Sequence, residues 1–242
     1  MIQDEPHRML EVEFYHQGEE HIDPFAHGEE LQRTCERWYF HRDSGSYRGG
    51  SFKGLDATFG PEGDVGGILI RTIQRMSDGE VINGCSLCVD HMLATTGEES
   101  VADLDAAIEE RDIWDEESPI HIARDDGLEE KEIIATARVG LTLKRMGSYP
   151  DMPEYLMRAY RFLTDAKIKK GKLYTIVALL ERGLDTDAIR ALTNSPRKSI
   201  DKYRDLYEEG KKLDSFSRWE GKKLKSSDLA LLHGACANVY GE

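Results

Sequence analysis

Along Glu11-Val12-Glu13-Phe14-Tyr15 polar and apolar side chains alternate, and Val, Phe and Tyr favour extended backbone. The pattern predicts a strand with Glu11 and Glu13 on one face, although a solvated sheet edge would show the same alternation. Gly66-Gly67-Ile68-Leu69-Ile70-Arg71 reads differently. A glycine-led aliphatic run suits a strand covered on both faces, and the arginine that ends it requires an anion or a carbonyl. A loop and a basic hairpin are expected between these strands, and a helix over 84–95. An acidic helical stretch follows, then short strands near 137–142 and 160–164. Strands mixed with a few helices predict an α+β fold, a mixed antiparallel sheet body with flanking helices.

Beyond residue 165 the period changes. Leu173 to Arg182 carries Ile176, Leu179 and Leu180 at helical spacing, and Gly183 is a helix-ending glycine. A short helix is expected from Asp185 with Ile189 and Leu192 inward. Ser195-Pro196 then predicts a cap followed by proline at the first helical position, with Ile200, Tyr203 and Tyr207 on one stripe. Short helix, turn and capped longer helix is the helix-turn-helix order. Arg197, Lys198 and Lys202 stand at the exposed start of the last helix, where a recognition helix contacts the major groove or phosphates, though a solvated three-helix module would look the same. The domains are therefore expected at 1–165, with an acidic insertion at 98–132, and at 166–242.

Charge separates the two parts. Residues 166–242 hold 16 Lys and Arg against 11 Asp and Glu, a net of +5, which leaves 16 against 35, a net of −19, before them. An acidic body is an awkward partner for phosphates. Either the acidity of 98–132 lies on solvated or loose chain away from a nucleic acid, or the whole surface is adapted to high salt.

Several of these strings, taken in order, resemble the alkyladenine (3-methyladenine) DNA glycosylases. The family's Glu-x-Glu-Ala-Tyr is similar to Glu11-x-Glu13-Phe14-Tyr15, its Ala-His to Ala26-His27, and its arginine after three aliphatics to Ile68-Leu69-Ile70-Arg71. Asn83-Gly84-Cys85-Ser86-Leu87-Cys88 resembles a helix start of that family, Ala137-Arg138-Val139-Gly140 its Ala-Arg-Val-Gly string, and Arg161-Phe162 its closing Arg-Phe. The resemblance spans residues 8–163. It implies that Glu13 takes a proton from the water that attacks C1′ of a flipped nucleotide, that Arg71 helps to hold water and carboxylate, and that Tyr15 and His27 stack on the extruded base. A carboxylate there also stabilises the oxocarbenium character of the breaking bond, and no cofactor or metal is required. The implied activity is hydrolysis of the N-glycosidic bond of a damaged, alkylated or modified purine, with DNA as partner and a monomer as the acting species.

The departures are specific. The family's tyrosine-rich wedge segment corresponds to Ser46-Tyr47-Arg48-Gly49-Gly50-Ser51-Phe52-Lys53-Gly54, which has no tyrosine at the matching glycine; Phe52 or Lys53 is then the candidate wedge, although loop residues of a basic hairpin would give the same string. The segment between Tyr15 and His27 is longer than in the family. These differences, with the acidic body, keep open a non-catalytic DNA-binding protein that uses the C-terminal helix-turn-helix. Cys85-x-x-Cys88 with His91 is half a zinc site without a second half, and no metal is expected. The start, Met1-Ile2-Gln3-Asp4-Glu5, is polar, and no apolar run reaches membrane-spanning length, so the expectation is an intracellular protein away from membranes.

Overall fold

A computed structural model describes residues 1–61 and 63–241. The fold is α+β, and the chain forms two compact units, Met1–Glu132 and Ile133–Glu242. The division thus falls well before residue 165.

The first unit is built on antiparallel strands β1 (His7–Gln17), β2 (Trp38–Phe40), β5 (Leu55–Thr58), β6 (Val65–Arg75) and β7 (Val81–Asn83). Two short strands, β3 (Arg42–Asp43) and β4 (Ser46–Tyr47), pair separately as the expected hairpin. Within the unit the order is β2-β5-β6-β1, with β7 also on β6. β1 ends this order and pairs along its length with β6, yet its acidic face is not solvated: Glu11 and Glu13 are both buried.

The register determines which side chains share a face. Glu13 lies opposite Leu69, Leu69 opposite Asp56, and Asp56 opposite Tyr39. Opposed residues of antiparallel strands project to the same side, so this row crosses four strands on one face. The other face supplies Trp38, Phe40, Leu55, Ala57 and Ile70 to an apolar core completed by α1 (Cys85–Thr96) and α2 (Val101–Ile108). α1 begins at the expected position. The segment 98–132 is not loose: Val101, Leu104, Ile108, Ile113 and Ile120 are buried in this core, and the Ile120 carbonyl accepts the indole N–H of Trp38 at 3.0 Å. Its carboxylates cover the outside of a helix whose i, i+3, i+7 stripe points inward.

The second unit contains β8 (Ile134–Thr136), α3 (Met152–Met157), β9 (Arg161–Leu163), α4 (Lys172–Glu181), α5 (Thr186–Thr193), α6 (Arg197–Gly210) and α7 (Ser226–Tyr240). β8 and β9 form an antiparallel pair, and β8 packs on α4, which explains why residues 133–165 belong with the helices. The first of these strands ends at Thr136, short of the expected 137–142. Arg138 is instead a fully buried structural side chain that donates to the Tyr155 carbonyl at 3.0 Å, and Arg161 is equally buried, bonded to Thr136 Oγ1 and the Lys170 carbonyl.

Helices α4, α5 and α6 follow the sequence reading with local corrections. The side chain of Asp185 caps α5 through the Ala188 N–H, and Gly183, at φ +81°, closes the turn after α4. Leu192 is 45% exposed, because the inward stripe of α5 is Thr186, Ile189 and Thr193. Ser195 does not cap α6. Pro196 takes that position with extended backbone, and the Ser195 N–H is bonded to Thr193 Oγ1.

α7 lies across α6 at a glycine crossing. A Cβ on Gly234 would stand 2.0 Å from the Tyr207 carbonyl oxygen, and one on Gly210 would stand 2.1 Å from that of Leu231. Only glycine at both positions permits this approach.

Candidate functional site

Strands β1 and β6 bring two acids and one base together in the first unit. Arg71 donates from Nε to Glu11 Oε1 at 3.1 Å and from Nη1 to Glu13 Oε2 at 3.2 Å. Tyr15 donates its hydroxyl to the same Oε2 at 2.8 Å. Glu11 accepts in addition from Thr72 Oγ1 at 2.5 Å, and Thr72 accepts from Asn83 Nδ2 at 2.7 Å. Strict alternation alone does not produce this convergence. Register shifts on either side of Glu11 break the pairing, and such a bulge re-aims a side chain.

The centre is dry. Glu11, Glu13 and Thr72 are 1%, 0% and 0% exposed, and Arg71 is 7% exposed. Burial alone would weaken the guanidinium as a cation, but the carboxylates of Glu13 and Glu11 outweigh it and raise its pKa above the ordinary arginine value. Arg71 therefore stays charged, and Glu13 is oriented by two donors on one oxygen. That arrangement fits a carboxylate that takes a proton or faces a developing positive charge.

A further buried acid, which the sequence reading did not single out, shares the face. Asp56 is 2% exposed and accepts from His41 Nε2 at 2.8 Å and from Gln32 Nε2 at 3.4 Å. Gly67, opposite Tyr15 in the sheet, makes room for it: a Cβ there would lie 2.5 Å from Asp56 Oδ2. His27 is exposed, and its ring meets that of His41 edge-on at 5.4 Å. Through His41 it adjoins the Asp56 end of the row. An acid in a short apolar strand, Leu55-Asp56-Ala57, was the available signal.

The nucleic-acid candidates differ among themselves. Phe52 closes a one-turn helix at Gly50–Phe52 beside α1, where Ser86 Oγ donates to the Gly50 carbonyl, and Phe52 is 73% exposed. Lys53, by contrast, is ion-paired to Asp90 on α1. On α6, Lys198 and Lys202 are exposed, whereas Arg197 is ion-paired to Asp187 of α5. The same open groove carries Asp201, Asp205 and Glu209, so the charge of that face is mixed.

Cys88 is buried and turned to the Arg71 and Ile82 carbonyls, and His91 Nε2 lies 2.8 Å from His7 Nε2. Among the described residues no group of three or more His, Cys, Asp or Glu side chains could hold a metal ion. None of the helices described is long and apolar enough to cross a membrane.

Fold and site together define an α+β protein whose antiparallel sheet buries a carboxylate–guanidinium–phenol centre. The chain is 30% identical over 180 residues, covering 68% of its own length and 80% of the relative's, to the uncharacterized protein L759 of Acanthamoeba polyphaga mimivirus, and it belongs to the same family. No family model and no solved structure matches it.

Proposed function

We propose that this protein is a monofunctional DNA glycosylase that hydrolyses the N-glycosidic bond of an alkylated or otherwise modified purine after flipping the nucleotide out of the duplex. The observation that carries the reading is the Glu13 carboxylate, fully buried and fixed by Tyr15 and Arg71. In this reading Glu13 accepts a proton from water as the water attacks C1′, and its charge stabilises the oxocarbenium-like transition state. Water is the nucleophile, so no lysine is needed. Tyr15 and the His27–His41 rings line the side of the base, and Phe52 is the apolar wedge that replaces the unstacked nucleotide. Lys53 has a smaller part than its sequence position suggests, since Asp90 already neutralises it. Incubation of the full chain with methylating-agent-treated duplex DNA and chromatography of the released bases tests this; free methylated purine is expected, with abasic sites left in the strand.

A second reading has one observation in its favour, the α4–α5–α6 arrangement with Lys198 and Lys202 exposed on α6. Under it the protein binds DNA without base release, through the helix-turn-helix. The mixed charge of the α6 face, with Arg197 engaged by Asp187, weighs against that module as the main source of affinity. Binding that fell uniformly across sequences in Lys198→Ala and Lys202→Ala, with no base release from any substrate, would favour it.

A further inference from the structure

His7, at the start of β1, and His91, on α1, meet end to end. Nε2 of one lies 2.8 Å from Nε2 of the other, with the ring centroids 4.9 Å apart and the planes at 68°. At that separation one nitrogen donates and the other accepts. A second contact decides which. His7 Nδ1 lies 2.9 Å from the Glu5 carbonyl oxygen, which can only accept, so Nδ1 carries the proton and a neutral His7 presents a bare Nε2. His91 Nε2 is therefore the donor.

The pair tolerates one added proton but not two. A proton on His91 Nδ1 keeps the bond and makes its donor cationic. A proton on His7 Nε2 sets N–H against N–H and brings two positive rings together. Both rings are half-buried, so solvent reaches them, while burial favours their neutral forms and holds both below the ordinary histidine value. The charged groups that face them divide: the Met1 amine and Arg75 oppose a second charge, whereas Glu5, Asp78 and Glu80 favour it. Arg75 is itself paired with Asp78 and Glu80, and His121 shares the wall of a small, mostly apolar cavity with His7.

We propose that His7 and His91 form an acid-operated clasp between the start of β1 and α1, closed while His7 Nε2 is bare and opened when that nitrogen is protonated. Opening loosens the segment 1–7, whose Met1 amine is bonded to the His121 carbonyl at 2.7 Å and whose Pro6 carbonyl accepts the Met76 N–H at 2.9 Å. The folded chain favours the neutral rings, so the stability the clasp contributes is complete above the ordinary histidine pKa and is lost as the pH falls below it. The device is independent of base excision.

Long-range proton–nitrogen NMR of the full chain, followed from about pH 8 down to about pH 4.5, tests the clasp. At neutral pH His7 should show a protonated Nδ1 and an acceptor Nε2, and its Nε2 should take a proton about tenfold less readily than an ordinary histidine, about one pH unit lower. In the same step the Met76 and Glu5 amides, bonded to the Pro6 and Ile2 carbonyls, should lose about tenfold or more of their hydrogen-exchange protection. In His91→Leu, which removes the partner, His7 should titrate about one pH unit higher, and those amides should be weakly protected already at neutral pH. A bare His7 Nδ1 at neutral pH, the same His7 titration in parent and variant, or protection that persists while His7 takes its proton would each overturn the clasp. The first and third are read on the unmutated protein and stand even if His91→Leu does not fold.

Discussion

Tyr15 and Arg71 donate to the same oxygen of Glu13, at 2.8 and 3.2 Å, so a residue two positions along the strand and one from the neighbouring strand fix a single buried carboxylate. Tyr15→Phe removes one donor and little volume. A hydrogen bond to a charged group contributes about 1.5–3 kcal/mol, so base release should slow by about tenfold or more while the fold persists. Single-turnover release rates beside circular-dichroism melting curves would separate the two effects.

Arg71→Met should act chiefly on stability. It leaves Glu11 and Glu13 facing each other without the guanidinium that joins them, and breaking a buried pair from one side costs about 3–5 kcal/mol. Urea unfolding would show a lower midpoint. Glu11→Gln retains hydrogen bonding to Arg71 and Thr72 and should lose less. Equal stability of the Arg71→Met protein and the parent would mean that the pairing contributes little to the fold.

Sequence made the frame of this centre legible and hid its details. The alternation of β1 and the aliphatic run of β6 placed Glu13 and Arg71 on strands correctly, because period and composition are local properties. The bulge at Glu11 was not legible, since register depends on the partner strand. Nor was the Asp56–His41 pair: fifteen residues separate the two, and only the β2–β5 pairing brings them within 2.8 Å. The acidity of 98–132 concealed the buried Val101, Leu104 and Ile108. α7 was missed because Ala, Leu, Gly and Cys cover it on every side, leaving no polar face to mark a helical stripe.

The α6–α7 crossing yields a prediction independent of function. In Gly234→Ala the new methyl group meets the Tyr207 carbonyl, a backbone atom that cannot rotate away. Overpacking of this kind costs about 1–3 kcal/mol. Thermal unfolding should show a clearly lowered midpoint, while Gly221→Ala, where a Cβ meets no atom within 4 Å, should show only the smaller strain of its positive φ.

Thiol chemistry should sort Cys35, Cys88 and Cys236 by environment. Cys35 is exposed, whereas Cys88 and Cys236 are buried, and burial pushes both of their thiols up to about 12. The thiolate is the reactive form, so at pH 8 a disulfide reagent should modify Cys35 rapidly and leave Cys88 and Cys236 untouched until the chain unfolds. Mass spectrometry of the labelled peptides would check this. Fast labelling of Cys88 in the folded protein would contradict the packing of α1 on the sheet.

The central claim rests on Glu13, and its most direct test compares the parent protein with Glu13→Gln in release of free base from methylating-agent-treated duplex DNA. Glutamine keeps the shape of the side chain and an acceptor for Tyr15 but cannot take a proton from water. The predicted result is methylated purine released by the parent and none above background by the variant, which stays folded with a midpoint lowered no more than that of Glu11→Gln. Release by Glu13→Gln at the rate of the parent would remove Glu13 from the chemistry and contradict the account.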